Sequence, residues 1–592
     1  MSEYSFPYKD AAFLINDLLD FDQMCLDAGL EDVNGELAEA ILEEAGRLGS
    51  EVLAPLNAIG DKKGATLEEN GVNETPGFAE AYRQYVDNDW ASLAGDEEYG
   101  GQAMPRLLGA AVVEVWDSAN VAFSLCPLLT TGAIEAIAKH GSQALKNAYL
   151  PDMVSGEWTG SMCLTEPAAG SDLAAVNTKA IAQDDHYLIS GQKIFITWGD
   201  HQMTENIIHL VLARLPDAPA GVRGISLFLV PKFLLDENGR PGKRNDAYCT
   251  GLEHKLGIHA SPTCTLSFGD NGGAIGYLVG EPNKGLMAMF TMMNEARQGV
   301  GIQSLGVAEH SYQQALAYAK ERLQGTRSDG SRYPIIEFPD VRRMLMVMKS
   351  ATEAMRGLIY FAAAEGDRTS AAKNPEATQK SAARTGVYTP IVKGWISELC
   401  QEVTYLGIQI HGGMGYIEET GSAQFYRDAR IMSIYEGTTG IQGLDLAGRK
   451  TLGDNGEALQ SLLDEISSTV EDMSRVESLS VMAQMLKTAV EAGGEARAWL
   501  LEHGKQDRNV VGGASVNFMM LMGYLCGGWV MGQSALKAKQ LLKAGGGDVA
   551  FLETKQVTAK FYFDHLLPRT ASYLATIRSG SDSMMALDVE QF

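Results

Sequence analysis

One carboxylate in this sequence stands in surroundings suited to moving a proton. Glu436 lies in Ile434-Tyr-Glu-Gly-Thr-Thr-Gly-Ile-Gln442, between an aromatic residue and a glycine. Apolar bulk on one side raises a carboxyl pKa by desolvation, and the glycine lets a flat ligand approach the backbone. Together these suit a general base that removes a proton from carbon. A solvated surface Glu is the commoner role for such a residue, so its neighbours elsewhere in the chain must decide. Two further stretches invite attention. Met162-Cys-Leu-Thr-Glu-Pro-Ala-Ala-Gly-Ser-Asp172 reads by itself as an Ala- and Gly-rich hairpin turn, and Gly191-Gln-Lys-Ile-Phe-Ile-Thr197 as a strand. Asn294 and Arg297 fall one helical turn apart, where a cation could meet a polyphosphate or close a surface ion pair.

The seven Cys and ten His lie in no metal-ligand spacing, so no metal site is expected, and free buried thiols suit a reducing compartment. A net charge of −27 repels nucleic acid and anionic membrane surface; an anionic substrate needs a local cation. Met1 to Ser5 lead into no basic and apolar leader pattern, and a cytoplasmic enzyme is expected.

The elements that must position these residues come in an uncommon order. With 592 residues the chain is expected to form several domains. Residues 1–35 read as an arm with one short helix, Asp10 to Phe21. Residues 36–158 read as an all-helical domain. Leu37, Ile41, Leu42, Ala45, Leu48 and Val52 follow the helical period until Pro55 ends or bends it. Further helices are predicted at Phe78–Asp87, Leu107–Ala119 and Gly132–His140, with a tight turn at Gly100-Gly101. Residues 159–280 change texture. Runs such as His186–Thr197, Ile207–Ala213 and Ile225–Pro231 predict a small β-barrel or sandwich. Residues 281–450 return to long helices, about 285–323, 339–366 and 388–407, with a polar linker at Arg368–Ser381.

Residues 451–592 are helical again, with 12 basic against 17 acidic residues, which is no nucleic-acid arm. Within them Asn509–Leu536 carries no charge and is long enough to span a bilayer. Gly523, Gly527, Gly528 and Gly532, with Asn517 and Gln533, favour instead a closely packed buried helix, so no transmembrane span is expected.

Taken together, Tyr99-Gly-Gly101, Met162–Asp172, Gly191–Thr197, Asn294-Glu-Ala-Arg297, Gln409-Ile-His-Gly-Gly-Met-Gly415 and Tyr435-Glu-Gly-Thr438 closely resemble the acyl-CoA dehydrogenase family. The resemblance runs in order from about residue 36 to 450. It implies an α+β, mostly α fold: a helical domain, a small β-domain, a four-helix-bundle-like domain with the base, and here an extra C-terminal helical domain. That extra length is similar to an extended subgroup of the family, one that includes dehydrogenases of 3-methylmercaptopropionyl-CoA. A short or medium acyl-CoA is therefore the implied substrate.

The resemblance also implies roles. Glu436 would take the α-proton of an acyl-CoA while the β-hydride passes to FAD, giving a trans-2-enoyl-CoA. Its backbone N–H and a flavin hydroxyl would hold the thioester oxygen. Some relatives carry the base just before the Arg matching Arg297; Ala296 stands there and cannot take a proton. Met162, Leu164, Thr165, Gly170 and Ser171 would wrap the flavin, with Ser171 also near the CoA. Phe195 and Thr197 would cover one flavin face, although Trp more often stands at the Phe195 position, and Asn or Ser where this chain has Trp198. Arg322, Gln409 and Gly413 would reach the cofactor of a neighbouring subunit, and Thr438 and Gln442 the cofactor of their own. A solvated helix end is the lesser alternative for Arg322, and its stretch departs from the common pattern through an early Gly325 and an insertion at Ser328–Gly330. Asn294, Arg297, Tyr435 and Gly437 would meet the substrate. The implied partners are an electron-transfer flavoprotein and a second copy of the chain, as homodimer or dimer of dimers. Two alternatives share the fold: an acyl-CoA oxidase using oxygen, and a non-enzymatic alkylation-response flavoprotein that binds DNA.

Overall fold

The computed structural model describes residues 4–592, so the reading of Met1–Ser5 lies partly outside the described residues. The chain divides into two compact units, each visited more than once. One comprises the stretch up to Gly46, Pro105–Ser118 and Val300–Phe592; the other comprises Arg47–Met104 and Ala119–Gly299.

In the second unit lies a sheet of eight strands, three of which follow the runs named above: β1 (Trp158–Cys163), β2 (Lys179–Ala182), β3 (Tyr187–Thr197), β4 (Asn206–Arg214), β5 (Ile225–Pro231), β6 (Ala247–Leu252), β7 (Thr263–Phe268) and β8 (Ala274–Val279). The order is β6-β7-β3-β8-β5-β4-β1, and β2 pairs with both β3 and β4. Those pairings join β2, β3, β8, β5 and β4 into a ring, the small barrel that the sequence texture predicts. Ile189, Val211, Phe228, Val230, Cys264 and Phe268 fill its interior. Leu210, Leu227 and Leu229 face outward onto Ile137, Leu150, Met153 and Met289, so one sheet face is covered by helices.

Helix α1 (Arg106–His140) joins two stretches that the sequence separates. Asn120 interrupts it with φ −160° and ψ 88°, and its Oδ1 accepts from the Phe123 N–H at 3.2 Å, restarting the helix. At Pro55, where the sequence predicts an end or a bend, the helical course runs on through an irregular turn. Gly49–Leu53 forms a wide π turn and Ala54–Lys63 continues as α-helix, with the proline in the first turn, where it needs no donor.

The first unit is helical: α2 (Gly285–Glu321, entering it at Val300), α3 (Pro339–Ala371), α4 (Pro375–His411), α5 (Thr439–Leu444), α6 (Glu457–Ser474), α7 (Ser480–His503), α8 (Arg508–Ala544), α9 (Val549–His565) and α10 (Arg569–Arg578). The expected linker Arg368–Ser381 is almost wholly helical. Asn374 caps α4 by accepting from Ala377 N at 2.9 Å, and Ser381 Oγ, reaching Glu365 Oε1 at 2.5 Å, staples the two helix ends together. The uncharged segment is the buried helix α8. Added side chains at Gly523, Gly527, Gly528 and Gly532 would run into Trp395, Tyr562, Leu567 and Met473, so these glycines set the helix spacing. Among the described residues two helices, α1 and α8, are long and apolar enough to cross a membrane, and each is mostly buried in protein.

The N-terminal stretch is no extended arm. Tyr8–Leu18 and Phe21–Ala28 are helical, with Phe13, Leu14, Ile15 and Phe21 buried. Asp10 joins a buried ionic network: its carboxylate meets Lys555 at 2.8 Å and Arg356 at 3.3 Å, and Arg356 also pairs with Glu114 and Glu309. Burial opposes ionisation of Asp10, yet Lys555, Arg356 and Lys349 outweigh it and hold the carboxyl at about 2.

Candidate active site

The loop around Glu436 is built by strain and by inward-facing donors. Glu436 sits at φ +55°, left-handed backbone that a side chain rarely adopts, and Gly437 follows at φ +96°. Their carbonyls turn toward buried groups of the same unit. Gln442 Nε2 donates to the Glu436 oxygen at 3.1 Å and to the Gly437 oxygen at 3.3 Å. Lys393 Nζ, from α4, donates to the Gly437 oxygen at 2.6 Å. Thr438 is the N-cap of α5, its hydroxyl accepting from Ile441 N. The Glu436 side chain is half-buried.

Beside it, the Tyr435 hydroxyl donates to Gln303 Oε1 on α2 at 2.5 Å. Burial, then the negative charges of Asp117 and Glu436, push that phenol well above its ordinary range, so it stays a donor. Behind the loop α5 packs on α8: a side chain at Gly443 would meet the Ser515 backbone at 2.9 Å. Tyr435, Glu436, Gly437, Thr438 and Gln442 thus form one constellation.

A second constellation lies in the barrel unit, where β1 runs out into the 164–172 loop. The Thr165 carbonyl accepts from Ile194 N at 2.9 Å, which sets Met162, Leu164 and Thr165 beside β3. Between Lys193 and Ile196 the β3–β7 register shifts, so Phe195 occupies a bulge at φ +59°. The bulge turns its ring outward, 57% exposed, while Ile196 stays in the barrel core. Thr197 pairs with Thr263 and is half-buried. Trp198 contributes nothing to that exposed face. It is buried, its indole N–H donates to the Ala122 carbonyl at 3.0 Å, and it stacks on Phe78. Gly170 and Ser171 are exposed, and nothing would obstruct a side chain at Gly170.

The remaining candidates differ in exposure. Arg322, Gln409, Gly413 and Asn294 are exposed. Arg297 is only 3% exposed, with Nη1 3.5 Å from Asn294 Oδ1, which removes the surface ion-pair reading.

Lys393 and Gln303 lie outside the motifs quoted, and Glu166 and Lys193 lie inside them without an assigned role. Lys393 interrupts the apolar run Tyr388–Trp395 and Lys193 sits between Gln192 and Ile194-Phe195, so a lone charge in an apolar element was the available signal.

Within the barrel unit, the exposed Phe195 ring on strained backbone and the open room at Gly170 suit a flat aromatic cofactor. Within the helical unit, the Oε1 of fully buried Gln442 has no donor among the described residues.

Barrel flanked by helices, with a strained Glu-Gly loop on a helical bundle, is the architecture of acyl-CoA dehydrogenases, and this chain belongs to that family. Family models for the acyl-CoA dehydrogenase N-terminal, middle and C-terminal domains match residues 36–157, 161–271 and 283–450, and an acetyl-CoA dehydrogenase C-terminal-like model matches 462–588. The 3-methylmercaptopropionyl-CoA dehydrogenase of Ruegeria pomeroyi is 46% identical over 98% of this chain and 99% of its own length. A broad-specificity linear acyl-CoA dehydrogenase of Mycobacterium tuberculosis is 34% identical over 100% of both chains. Among solved structures, butyryl-CoA dehydrogenase from Megasphaera elsdenii is 28% identical with TM-score 0.57, covering 70% of this chain and 97% of that one. An acyl-CoA dehydrogenase complexed with FAD from Bacillus anthracis shares the fold, with TM-score 0.74 at 22% identity over 93% and 89% of the two chains. The chain is an oxidoreductase, an FAD-dependent acyl-CoA dehydrogenase whose substrate is an acyl-CoA.

Proposed function

We propose that this enzyme desaturates a short or medium acyl-CoA, foremost 3-methylmercaptopropionyl-CoA, with Glu436 as its base. Near-full-length similarity to the Ruegeria enzyme of that name carries the substrate. The strained Glu436–Gly437 loop, held by Lys393 and Gln442, supports the base. Bound FAD supplies the oxidant, accepting the hydride that leaves the β-carbon.

The chain's own residues do the rest. The Glu436 carboxylate receives the α-proton, and its backbone N–H donates to the thioester oxygen, where negative charge builds. Tyr435 and Gly437 flank the reacting carbons. Met162, Leu164, Thr165, Gly170, Ser171, Phe195 and Thr197 hold the cofactor, together with Thr438 and Gln442, and Asn294 and Arg297 shape the CoA end. Arg322, Gln409 and Gly413 serve the cofactor of a second copy in a homodimer or dimer of dimers. The exposed Tyr405, Met414, Tyr416 and Ile417 near Gln409 and Gly413 support such an interface.

Residues 1–35 form a lead-in segment, 36–158 and 159–280 the helical and β-domains, 281–450 the domain with the base, and 451–592 the added domain. An electron-transfer flavoprotein is the electron acceptor. In support, the CarC subunit of a caffeyl-CoA reductase–Etf complex from Acetobacterium woodii is 34% identical over 54% of this chain. The seven cysteines, all unbridged, suit the cytoplasm.

Glu436→Gln tests the base. Shape and FAD content should persist, while anaerobic flavin bleaching by acyl-CoA falls by at least about 10²–10⁴-fold. Glu295→Gln should retain most activity. Bleaching at near wild-type rate in the Glu436 variant would remove Glu436 from the mechanism. Turnover confined to acyl chains of about sixteen carbons or more would remove the substrate assignment, since pocket fit discriminates by only about 1–3 kcal/mol per methylene.

A further inference from the structure

Lys393 is 0% exposed, in the middle of α4, among Ile391, Val392 and Trp395. Desolvating an ammonium costs several kcal/mol, roughly, so its hydrogen bonds must be strong and well placed. One of them, at 2.6 Å, goes to the carbonyl of Gly437, the residue that follows Glu436. The preceding carbonyl, that of Glu436, is drawn to the same side by Gln442.

Both peptides after the carboxylate are therefore clamped from beneath. The clamp spans two successive residues in left-handed backbone, at φ +55° and +96°. For Glu436 that conformation costs about 1–2 kcal/mol and persists only where the surroundings impose it. Gln442 alone has one amide to share between two oxygens, at 3.1 and 3.3 Å, both longer than the Lys393 bond. A charge-assisted donor is roughly twice as strong as a neutral one.

We propose that Lys393 is a positioning residue for the reaction: through the Gly437 carbonyl it fixes the Gly437–Thr438 peptide, completing with Gln442 on the Glu436 carbonyl a clamp on the two peptides that follow Glu436, and so sets the aim of the carboxylate that takes the α-proton. The inference rests on the reading of Glu436 as base.

Acetyl-CoA isolates the step, because it has α-hydrogens but no β-carbon to oxidise. Exchange of those hydrogens in D2O, followed by NMR with the FAD-loaded enzyme, reports the base without hydride transfer. Lys393→Met should slow exchange by about 10–100-fold, the cost of a displacement of about 1 Å. FAD content and the dissociation constant for acetyl-CoA should stay within about threefold, so the loss falls on the step and not on binding. Lys393→Gln, which keeps a donor, should recover part of the rate.

Exchange within threefold of wild type in a folded, FAD-loaded Lys393→Met protein would overturn the proposal, as would a loss fully accounted for by weaker acetyl-CoA binding. If Lys393→Met does not fold, Lys393→Gln decides: a slowing of at least threefold with binding intact supports the role, and an unchanged rate overturns it. Glu436→Gln run alongside separates the two claims, because exchange that survives there defeats the base assignment whatever Lys393 does.

Discussion

Lys193 Nζ lies 2.8 Å from the Glu166 carboxylate and 3.0 Å from the Leu164 carbonyl, with both side chains buried in the barrel unit. Glu166 accepts in addition from Asn177 N, Thr178 N and Thr178 Oγ1. Burial raises its carboxyl pKa, but Lys193 and these donors outweigh burial and hold it below the ordinary range. The pair ties the loop proposed to wrap the flavin to the strand that bears Phe195. Lys193→Met leaves a buried carboxylate without its cation, which costs about 3–5 kcal/mol. The melting temperature should drop and FAD should bind more weakly; adding Glu166→Gln should restore part of both. A single variant with unchanged melting temperature and FAD affinity would show the pair to be idle.

Phe195 separates strain from recognition. Its left-handed backbone penalises any side chain by about 1 kcal/mol, while its ring makes little use of the core. Phe195→Gly should therefore leave the apo-protein's stability within about 1 kcal/mol, since relief of strain offsets glycine's entropy. FAD affinity should fall by tenfold or more, as judged by fluorescence titration. Phe195→Ala should lose affinity and also be the less stable of the two, because it keeps the strain.

Two buried histidines set an acid limit on stability. Burial, reinforced by the charges of Arg244 and Lys232, holds His209 at about 3. Burial also holds His310 at about 4, with Ser118 and Glu309 pulling weakly the other way. Each folded value is below the ordinary 6.5, so the unfolded chain takes up protons that the folded chain refuses. Their contribution is intact above about pH 6.5 and is lost as pH falls toward those folded values, with each worth on the order of 3–5 kcal/mol at the bottom of its window. Denaturant unfolding between pH 7 and 4 should show stability falling with acid, and His209→Gln should flatten that slope. An identical slope in the variant would clear His209 of the effect.

Much of this was legible in the sequence, and unevenly so. The β-branched and aromatic runs of β3, β4 and β5 predict their strands almost to the residue; β4 and β5 are apolar nearly throughout because one face lines the barrel and the other lies under helices. The Glu436 loop could be found because Tyr, Gly and Thr in tight order serve the backbone as much as the side chains. What supports the loop could not. Lys393 precedes Gly437 by 44 positions and Ser515 follows Gly443 by 72, and neither spacing carries a periodic signal. At Pro55 the sequence left an end or a bend open, and at 120–131 and 368–381 it drew the interruption too wide, for a shared reason. Proline, asparagine and short polar runs mark helix starts as readily as helix ends, and packing decides which.

Gln303 gives a test of the proposed substrate. The Tyr435 hydroxyl takes its Oε1, and its Nε2 is buried without a protein acceptor. A buried N–H suits a thioether sulfur, a weak acceptor, better than a methylene. If the substrate proposal holds, Gln303→Leu should lower kcat/KM for 3-methylmercaptopropionyl-CoA relative to pentanoyl-CoA, its isostere with CH2 for sulfur. A change of about fivefold, roughly 1 kcal/mol, is expected. A parallel fall for both esters would mean that Gln303 only props Tyr435.

The last prediction gives the added C-terminal domain a catalytic consequence. Helix α5, which begins at the cap of the Glu436 loop, rests on α8 of that domain, and the contact is closest at Gly443. A methyl group there would come within 2.9 Å of the Ser515 carbonyl, which is backbone and cannot swing aside as a side chain could. Gly443→Ala must therefore push α5 away, and with it Thr438 and the peptide that follows Glu436. Crowding of this kind typically costs about 1–3 kcal/mol. Because α5 is short and ends the loop, most of the displacement should be felt at the carboxylate. The expected result is a lower rate of anaerobic flavin reduction, by tenfold or more, with little change in the spectral titration by CoA ester. Gly448→Ala, where a side chain meets nothing within 4 Å, is the control and should leave the rate alone. Equal rates for the two variants would mean that the added domain does not reach the base through α5.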